Sequence, residues 1–203
     1  AFDSTANNLL PAVRHFYSAY AKNSYGVGQV VSDNNQFYTT SQAGPGVTDI
    51  DGNFYDTVII GNKEWMAEDL RVTRFNDGTT VTQVTQWDYS FENQIPKYYF
   101  VEGSFFYNQL VTTNAKQICP SGYRLPTYED INPQTLPYNS INIDAYSLNY
   151  TGWLSEDGLF DYNNVGHYWF VNSNPRTYRW QDGGLNINYQ QSVIGSCIRC
   201  VKE

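Results

Sequence analysis

The chain has 203 residues, of which 16% are charged and 17% aromatic, with 18 tyrosines. That is too apolar and ring-rich for a disordered segment, and long enough for one packed domain with an appendage. Twelve basic residues against 20 acidic ones give a net charge of −8, and the nearest thing to a basic cluster, Lys63, Arg71 and Arg74, is scattered. Nucleic acid and anionic membrane surfaces, which are bound through basic stripes, are thereby excluded as main partners.

No run approaches the roughly 18 apolar residues of a transmembrane helix. The opening "AFDSTANNLL" lacks a basic n-region and a long apolar core, so it is not a signal peptide. Either the chain is a processed form or it never carried one. Low charge with abundant Tyr, Asn, Ser, Thr and Gly is the composition of an extracellular, β-rich domain. Three cysteines allow one bridge and one odd thiol.

In chain order, residues 6–22 carry a helical period: Leu9, Leu10, Val13, Phe16, Tyr17 and Tyr20 recur at steps of three and four. This predicts an N-terminal helix outside the main domain, packing on a core or docking on another protein. The run "SQAGPGVTDIDGN" reads as a linker, which places an N-terminal segment at 1–45 and the main domain at 46–203. Asp51-Gly52, Gly61-Asn62 and Asp77-Gly78 predict turns, with "FYDTVII" as a strand and Trp65, Met66 and Leu70 as buried anchors. The stretch from Trp87 to Tyr107 is strongly aromatic. Pro120-Ser121-Gly122 predicts a turn, and Thr127 an N-cap for a short helix containing Glu129 and Asp130. Residues 132–191 read as loops and short strands, and "SVIGSCIRCVKE" as a closing strand. In that strand Cys197 and Arg199 share one parity, and Ile198 and Cys200 the other.

Several pieces now resemble one family. "VTDIDGNFYDTVIIGNKEWMAEDLRVTRFNDGT", "GSFFYNQL", "ICPSGYRLPT", "GHYWFVNS" and "IRCVKE" are collinear over about Val47 to Glu203. They resemble the Fibrobacter succinogenes major paralogous domain. Its D-x-D-G-N-x-Y hairpin leads to I-G-x-x-x-W-M-x-E-N-L and F-N-D-G, and its C-P-x-G-W-H-L-P-T and V-R-C-V-K-D follow. The resemblance implies an α+β, C-type-lectin-like fold, loop-rich with short antiparallel strands and one or two short helices. It also implies relatives of the formylglycine-generating group, and proteins of bacterial surfaces or secretions, often lipoproteins. Asp69 stands where that pattern has Asn, Tyr123-Arg124 where it has Trp-His, and Cys197 is additional. The pattern's two cysteine positions are Cys119 and Cys200, which implies a disulfide between them.

Cys197 and Cys200 form a C-x-x-C spacing, which invites a redox or metal reading. In an extended strand their α-carbons lie about 10 Å apart and the side chains diverge, which suits neither. No Ser/His/Asp pattern, nucleophile elbow or phosphate-cradling loop is present, so the chain reads as non-enzymatic and cofactor-free. Of its two histidines, His15 reads as a surface residue and His167 as a loop residue able to touch a ligand. "DIDGN" with Asp56, and the loop holding Glu156, Asp157 and Asp161, offer oxygen ligands. The first has Ile60 where an EF-hand loop needs its twelfth-position Glu. No metal is expected at either.

Residues 138–191 hold 7 Tyr and 9 Asn among 54 residues, with Trp153, Trp169 and Trp180. Rings give contact area at low entropy cost, and amides adaptable hydrogen bonds. Tyr162, Asn163, Asn164, His167, Tyr168, Arg176, Tyr178, Trp180 and Asp182 are the expected ligand-binding residues, whereas Trp169 reads as core. The expected function is a non-catalytic extracellular or outer-membrane binding module for a protein or glycan, with a partner subunit docked on the N-terminal helix. A structural subunit of a surface assembly is the alternative reading, and a phage receptor-binding tip is a variant of the first.

Overall fold

The computed structural model of the chain describes residues 9, 14–16, 19–23, 26–30, 36–38, 42–85, 95–131, 151–155, 158–160, 166–171, 176–181, 184–188 and 195–203. Within them only α1 (Gln109–Thr112) and α2 (Tyr128–Ile131) are helical, at four residues each. The α+β class with an N-terminal helix, expected with the C-type-lectin-like resemblance, is therefore corrected to a mostly β chain. Where the helix was expected, β1 (Arg14–Phe16) pairs with β4 (Gln36–Tyr38), and β2 (Ala19–Asn23) pairs with β3 (Gly26–Val30). The aromatic residues that mimic a helical stripe here, Phe16 and Tyr20, fit a pleated surface better than a helix. Spacing alone also carries no word of the partner strands downstream. His15 stands in β1, opposite Phe37.

The main sheet has five strands in the order β13-β19-β9-β8-β5. They are β5 (Gln42–Ala43), β8 (Thr57–Ile60), β9 (Lys63–Met66), β13 (Tyr123–Arg124) and β19 (Val201–Lys202). Because β5 pairs with β8, the sheet recruits residues upstream of the linker-like Gly44-Pro45-Gly46. A small hairpin, β6 (Val47–Thr48) with β7 (Phe54–Tyr55), follows the linker. Gly46 has φ +80°, a conformation in which any side-chain-bearing residue is strained, which favours glycine between linker and hairpin.

A second sheet places β10 (Thr82–Val84) parallel to β11 (Lys97–Val101), which turns back as β12 (Ser104–Tyr107). Glu102 at φ 50° and Gly103 at φ 78° make that turn, a two-residue connection of the kind that suits strand twist. Further on, β14 (Trp153–Ser155) pairs with β15 (Gly158–Phe160). Finally β16 (Gly166–Phe170), β17 (Arg176–Gln181) and β18 (Gly184–Asn188) form an antiparallel sheet.

Strand alternation divides the buried side chains between two clusters. Met66, Tyr98, Tyr107, Trp169, Ile198 and Cys200 go to the first, while Trp65, Phe106, Tyr168, Phe170, Cys197 and Val201 go to the second. The expected anchors Trp65, Met66 and Leu70 are 2%, 0% and 1% exposed. The last residues join the parts. Gly195 exchanges backbone hydrogen bonds with Leu154 and Ser196 with Tyr107, and Cys197 pairs with His167 and Trp169. Then Ile198 accepts from Leu70, Cys200 accepts from Met66, and Glu203 donates to Gly122. The expected bridge is present: Cys119 and Cys200 are joined, with α-carbons 5.9 Å apart.

At the start of α2 Asp130, three residues after Thr127, accepts from the Thr127 N–H at 2.7 Å and from its hydroxyl at 3.1 Å. Arg124 donates to both its oxygens, and Lys63 Nζ lies at 2.8 Å. Burial pushes the Asp130 carboxyl up, but the hydrogen bonds from Arg124 and Lys63 outweigh it and hold the group well below the usual carboxylate range. A lowered folded pKa means that this stability is present above the unfolded carboxylate range and lost as pH falls toward the folded value. Asp130→Asn is therefore expected to cost about 2 kcal/mol at pH 7. The difference from wild type should shrink below about pH 4 in urea melts followed against pH.

Candidate functional site

The register of the β16–β17–β18 sheet decides what becomes of the expected ligand-binding residues. Arg176, Tyr178 and Trp180 occupy alternate positions of β17, opposite Phe170, Tyr168 and Gly166 of β16. On the other side Tyr178 stands opposite Ile187, and Trp180 opposite Leu185. Opposite residues share a face, so these three positions stand on the side of the sheet to which β16 turns the buried Tyr168 and Phe170. Among the described residues β18 pairs only with β17, which makes it an edge. Tyr162, Asn163, Asn164 and Asp182 lie outside the described residues, as do Glu156, Asp157 and Asp161.

His167 and Tyr168 do not reach the surface. They are 1% and 0% exposed, and all of β16 is buried. A macromolecule resting on the chain therefore does not touch them. His167 lies beside the Trp153 ring, with centroids 5.8 Å apart. Tyr168 packs in the second cluster, with the Arg199 guanidinium 5.5 Å from its ring centroid. Trp169, expected in the core, is there, and its indole N–H donates to the Tyr107 carbonyl at 2.7 Å.

Beneath this sheet lies a buried polar cluster. Arg199 is fully buried and ion-paired to Asp69, with Nε donating to Oδ1 at 3.0 Å. Cys197 is free and buried. Burial pushes its thiol well up, and the Asp69 carboxylate adds to the effect. A thiol held protonated is a poor nucleophile and a poor metal ligand. The two cysteines of the C-x-x-C spacing enter different clusters, as strand parity requires.

The acidic turn "DIDGN" is a structural knot. Asp49 accepts from the Asp51 and Asn53 N–H groups, from the Asn53 amide, and from the Tyr55 hydroxyl at 2.6 Å. Asp51 accepts from the Thr73 N–H and hydroxyl and from Arg74 Nε. Burial acts to raise the Asp51 carboxyl, and its Thr73 and Arg74 partners overcome this and hold it low. Arg71 lies over the Tyr55 ring, 4.4 Å from its centroid. These carboxylates hold the hairpin to residues 71–74, which leaves them badly placed to converge on a cation. Among the described residues no cluster of three or more His, Cys, Asp or Glu side chains could hold a metal ion.

One surface escaped the sequence reading. On β11–β12, Phe100 and Phe105 stand opposite each other with ring centroids 4.9 Å apart, and Tyr98 stacks on Phe105 at 5.3 Å. Phe100 is 49% exposed, and Ile95, just before β11, is 45% exposed. The aromatic run is plain in the sequence, and the local signal that makes it a hairpin is the Glu102-Gly103 turn.

Residues 58–137 match the Fibrobacter succinogenes major domain. No curated protein matches the chain, and no solved structure does. Among the described residues no helix is long and apolar enough to cross a membrane.

Proposed function

We propose that this chain, which carries a Fibrobacter succinogenes major domain over residues 58–137, is a non-catalytic binding module. It takes a protein or a glycan on the β16–β17–β18 sheet and its loops. The observation that carries this reading is the register that gathers Arg176, Tyr178 and Trp180 on one face of β17, next to the buried Phe170 and Tyr168 that β16 turns to the same side. Arg, Tyr and Trp are the residue types in which binding energy concentrates. A strand next to a fully buried one also holds them on a rigid support, which lowers the entropy cost of binding. The Cys119–Cys200 bridge supports an oxidising, extracellular setting on a bacterial surface or outer membrane.

Trp180→Ala and Tyr178→Ala, compared with wild type on a glycan array and in capture from outer-membrane fractions, test it. The expected result is a ligand retained by wild type and weakened about 30-fold by Trp180→Ala, the scale of a hot-spot residue at ~2 kcal/mol. Melting temperatures should stay unchanged. Equal binding by wild type and both variants would move the site elsewhere.

The second reading, a structural subunit of a surface assembly, is favoured by the exposed Phe100 and Ile95. Exposed rings grouped on a hairpin are a natural assembly contact. A partner docked on the N-terminal segment would meet the strands β1 to β4. Deletion to test that docking should stop at residue 41, since β5 belongs to the main sheet.

A further inference from the structure

The hairpin β11–β12 carries an open edge. In the order β10-β11-β12 the strand β12 is an outer one, and its residues turn their main-chain groups alternately toward β11 and away from it. Tyr107 turns its own away. Its N–H donates to the Ser196 carbonyl at 3.0 Å, and its carbonyl accepts from the Ser196 N–H at 3.2 Å. Phe105, two residues earlier, directs its N–H and carbonyl to the same side. There the neighbouring chain has turned elsewhere: the Ile198 carbonyl accepts from the Leu70 N–H, and the Cys200 carbonyl from that of Met66. Among the described residues nothing pairs with Phe105 on that side. We propose that β12 is a docking edge, which receives an extended segment of a partner protein as one more strand beside Phe105. This rests on the hairpin being an assembly contact, and adds the chemistry of what the hairpin receives.

Three observations say what covers the edge. A main-chain N–H and carbonyl left open on a strand are complemented by another main chain, whose hydrogen bonds supply affinity. Next, β12 lacks the devices that blunt natural edges, since Ser104–Tyr107 reads "SFFY", with neither charge nor proline. Lastly, apolar surface lies beside the open groups. Phe100 stands opposite Phe105 and is 49% exposed, with the two ring centroids 4.9 Å apart. Phe105 stacks in turn on Tyr98 of the core, which holds the ring pair in place. A residue of the incoming strand set opposite Phe105 turns its side chain to the same face, onto these rings.

Charge narrows the partner further. The exposed charge of the hairpin is Glu102 at its turn, whereas Lys97 is buried, and the chain as a whole carries −8. A segment with an apolar or aromatic side chain between basic neighbours is attracted, and a second copy of this acidic chain is repelled. A glycan offers no strand to pair.

The test titrates the isotope-labelled full chain with the peptide acetyl-Lys-Val-Phe-Val-Lys-amide, followed by NMR. The Phe105 N–H is expected to shift saturably, with Kd on the order of millimolar as suits a short peptide that must be ordered on binding. The Tyr107 N–H, already bonded to Ser196, should move less. The same peptide methylated at its backbone nitrogens cannot donate, and should bind at least about tenfold more weakly. Phe100→Thr, at an exposed position, should weaken binding about tenfold with an unchanged melting temperature. No saturable shift at Phe105 overturns strand addition, as does equal binding of the methylated peptide, which would mean an apolar contact alone. A Phe105 shift that grows with protein concentration in the absence of peptide makes a second copy the occupant and overturns the partner segment. The assembly reading fails separately. If Phe100→Thr abolishes capture from outer-membrane fractions while the peptide leaves Phe105 unmoved, assembly through the hairpin stands and strand addition falls.

Discussion

Reduction of the Cys119–Cys200 bridge is expected to lower the melting temperature of the chain by about 10 °C. The bond closes a loop across a sequence separation of 81. Chain-entropy reasoning gives about 4 kcal/mol for a loop of that length, as an upper figure. At roughly 2–4 °C per kcal/mol for a chain of this size, the shift is well above measurement error. The two ends are also held independently: the Asn76 amide donates to the Cys119 carbonyl, and the Met66 N–H donates to that of Cys200. The reduced chain should therefore stay folded at 25 °C and lose stability mainly through the greater freedom of its unfolded state. Calorimetry with and without reductant, beside Cys119→Ser/Cys200→Ser, measures this. Peptide mapping without reductant should place Cys197 outside the bridge. An unchanged melting temperature would mean that the C-terminal clasp holds through its backbone ladder alone.

That clasp was largely legible. Parity in "SCIRCVKE" separated Cys197 and Arg199 from Ile198 and Cys200, and these residues pack into two different clusters or against Asp69 accordingly. Turn chemistry was equally readable. Gly52, Gly61, Gly78 and Gly122, expected in turns, all have positive φ. Such features are local, and the residue type alone reports them. What failed was the N-terminal segment. Phe16 and Tyr20 satisfy both a helical and a strand reading, and the choice between them lies in β3 and β4, which a window on residues 6–22 does not contain.

The candidate site was half legible for a related reason. Composition singled out residues 138–191 as ring- and amide-rich, but composition does not distinguish a ring that fills a core from one that faces a ligand. His167 and Tyr168 went to the core because β16 is covered on both faces. Arg176, Tyr178 and Trp180 stand on β17, the middle strand of that sheet, opposite Phe170, Tyr168 and Gly166. The cavity of about 220 Å³ beside Cys119 left no local signal, since its walls come from α1, the 114–119 turn, the stretch through β13 to Thr127, and Val171 just after β16. Only tertiary packing brings them together.

Asp69→Ala is expected to cost about 3–5 kcal/mol, the penalty for stranding a buried charge. Arg199 is fully buried and the Asp69 side chain is 11% exposed, so water screens the pair little. Removing the carboxylate takes away the anion bonded to the guanidinium and leaves it against the Tyr168 ring, with the Glu68 carboxylate near enough to feel its charge. Asp69→Asn is the informative intermediate, because the resembled family pattern has Asn at this position. It keeps an acceptor for the Arg199 N–H groups but removes the charge, and should cost about 1–3 kcal/mol. The pair need not be favourable in itself. Replacing both members by apolar residues of similar volume, as in Asp69→Leu/Arg199→Met, should restore most of the stability lost in Asp69→Ala. A double-mutant cycle read by urea unfolding separates the two cases. If the double replacement is as unstable as Asp69→Ala, the cost is lost packing in the seam that joins residue 69 to the last strand. If it recovers, the cost is an uncompensated charge, and the ion pair then serves to fix which way Arg199, and with it Cys197 and Cys200, must face.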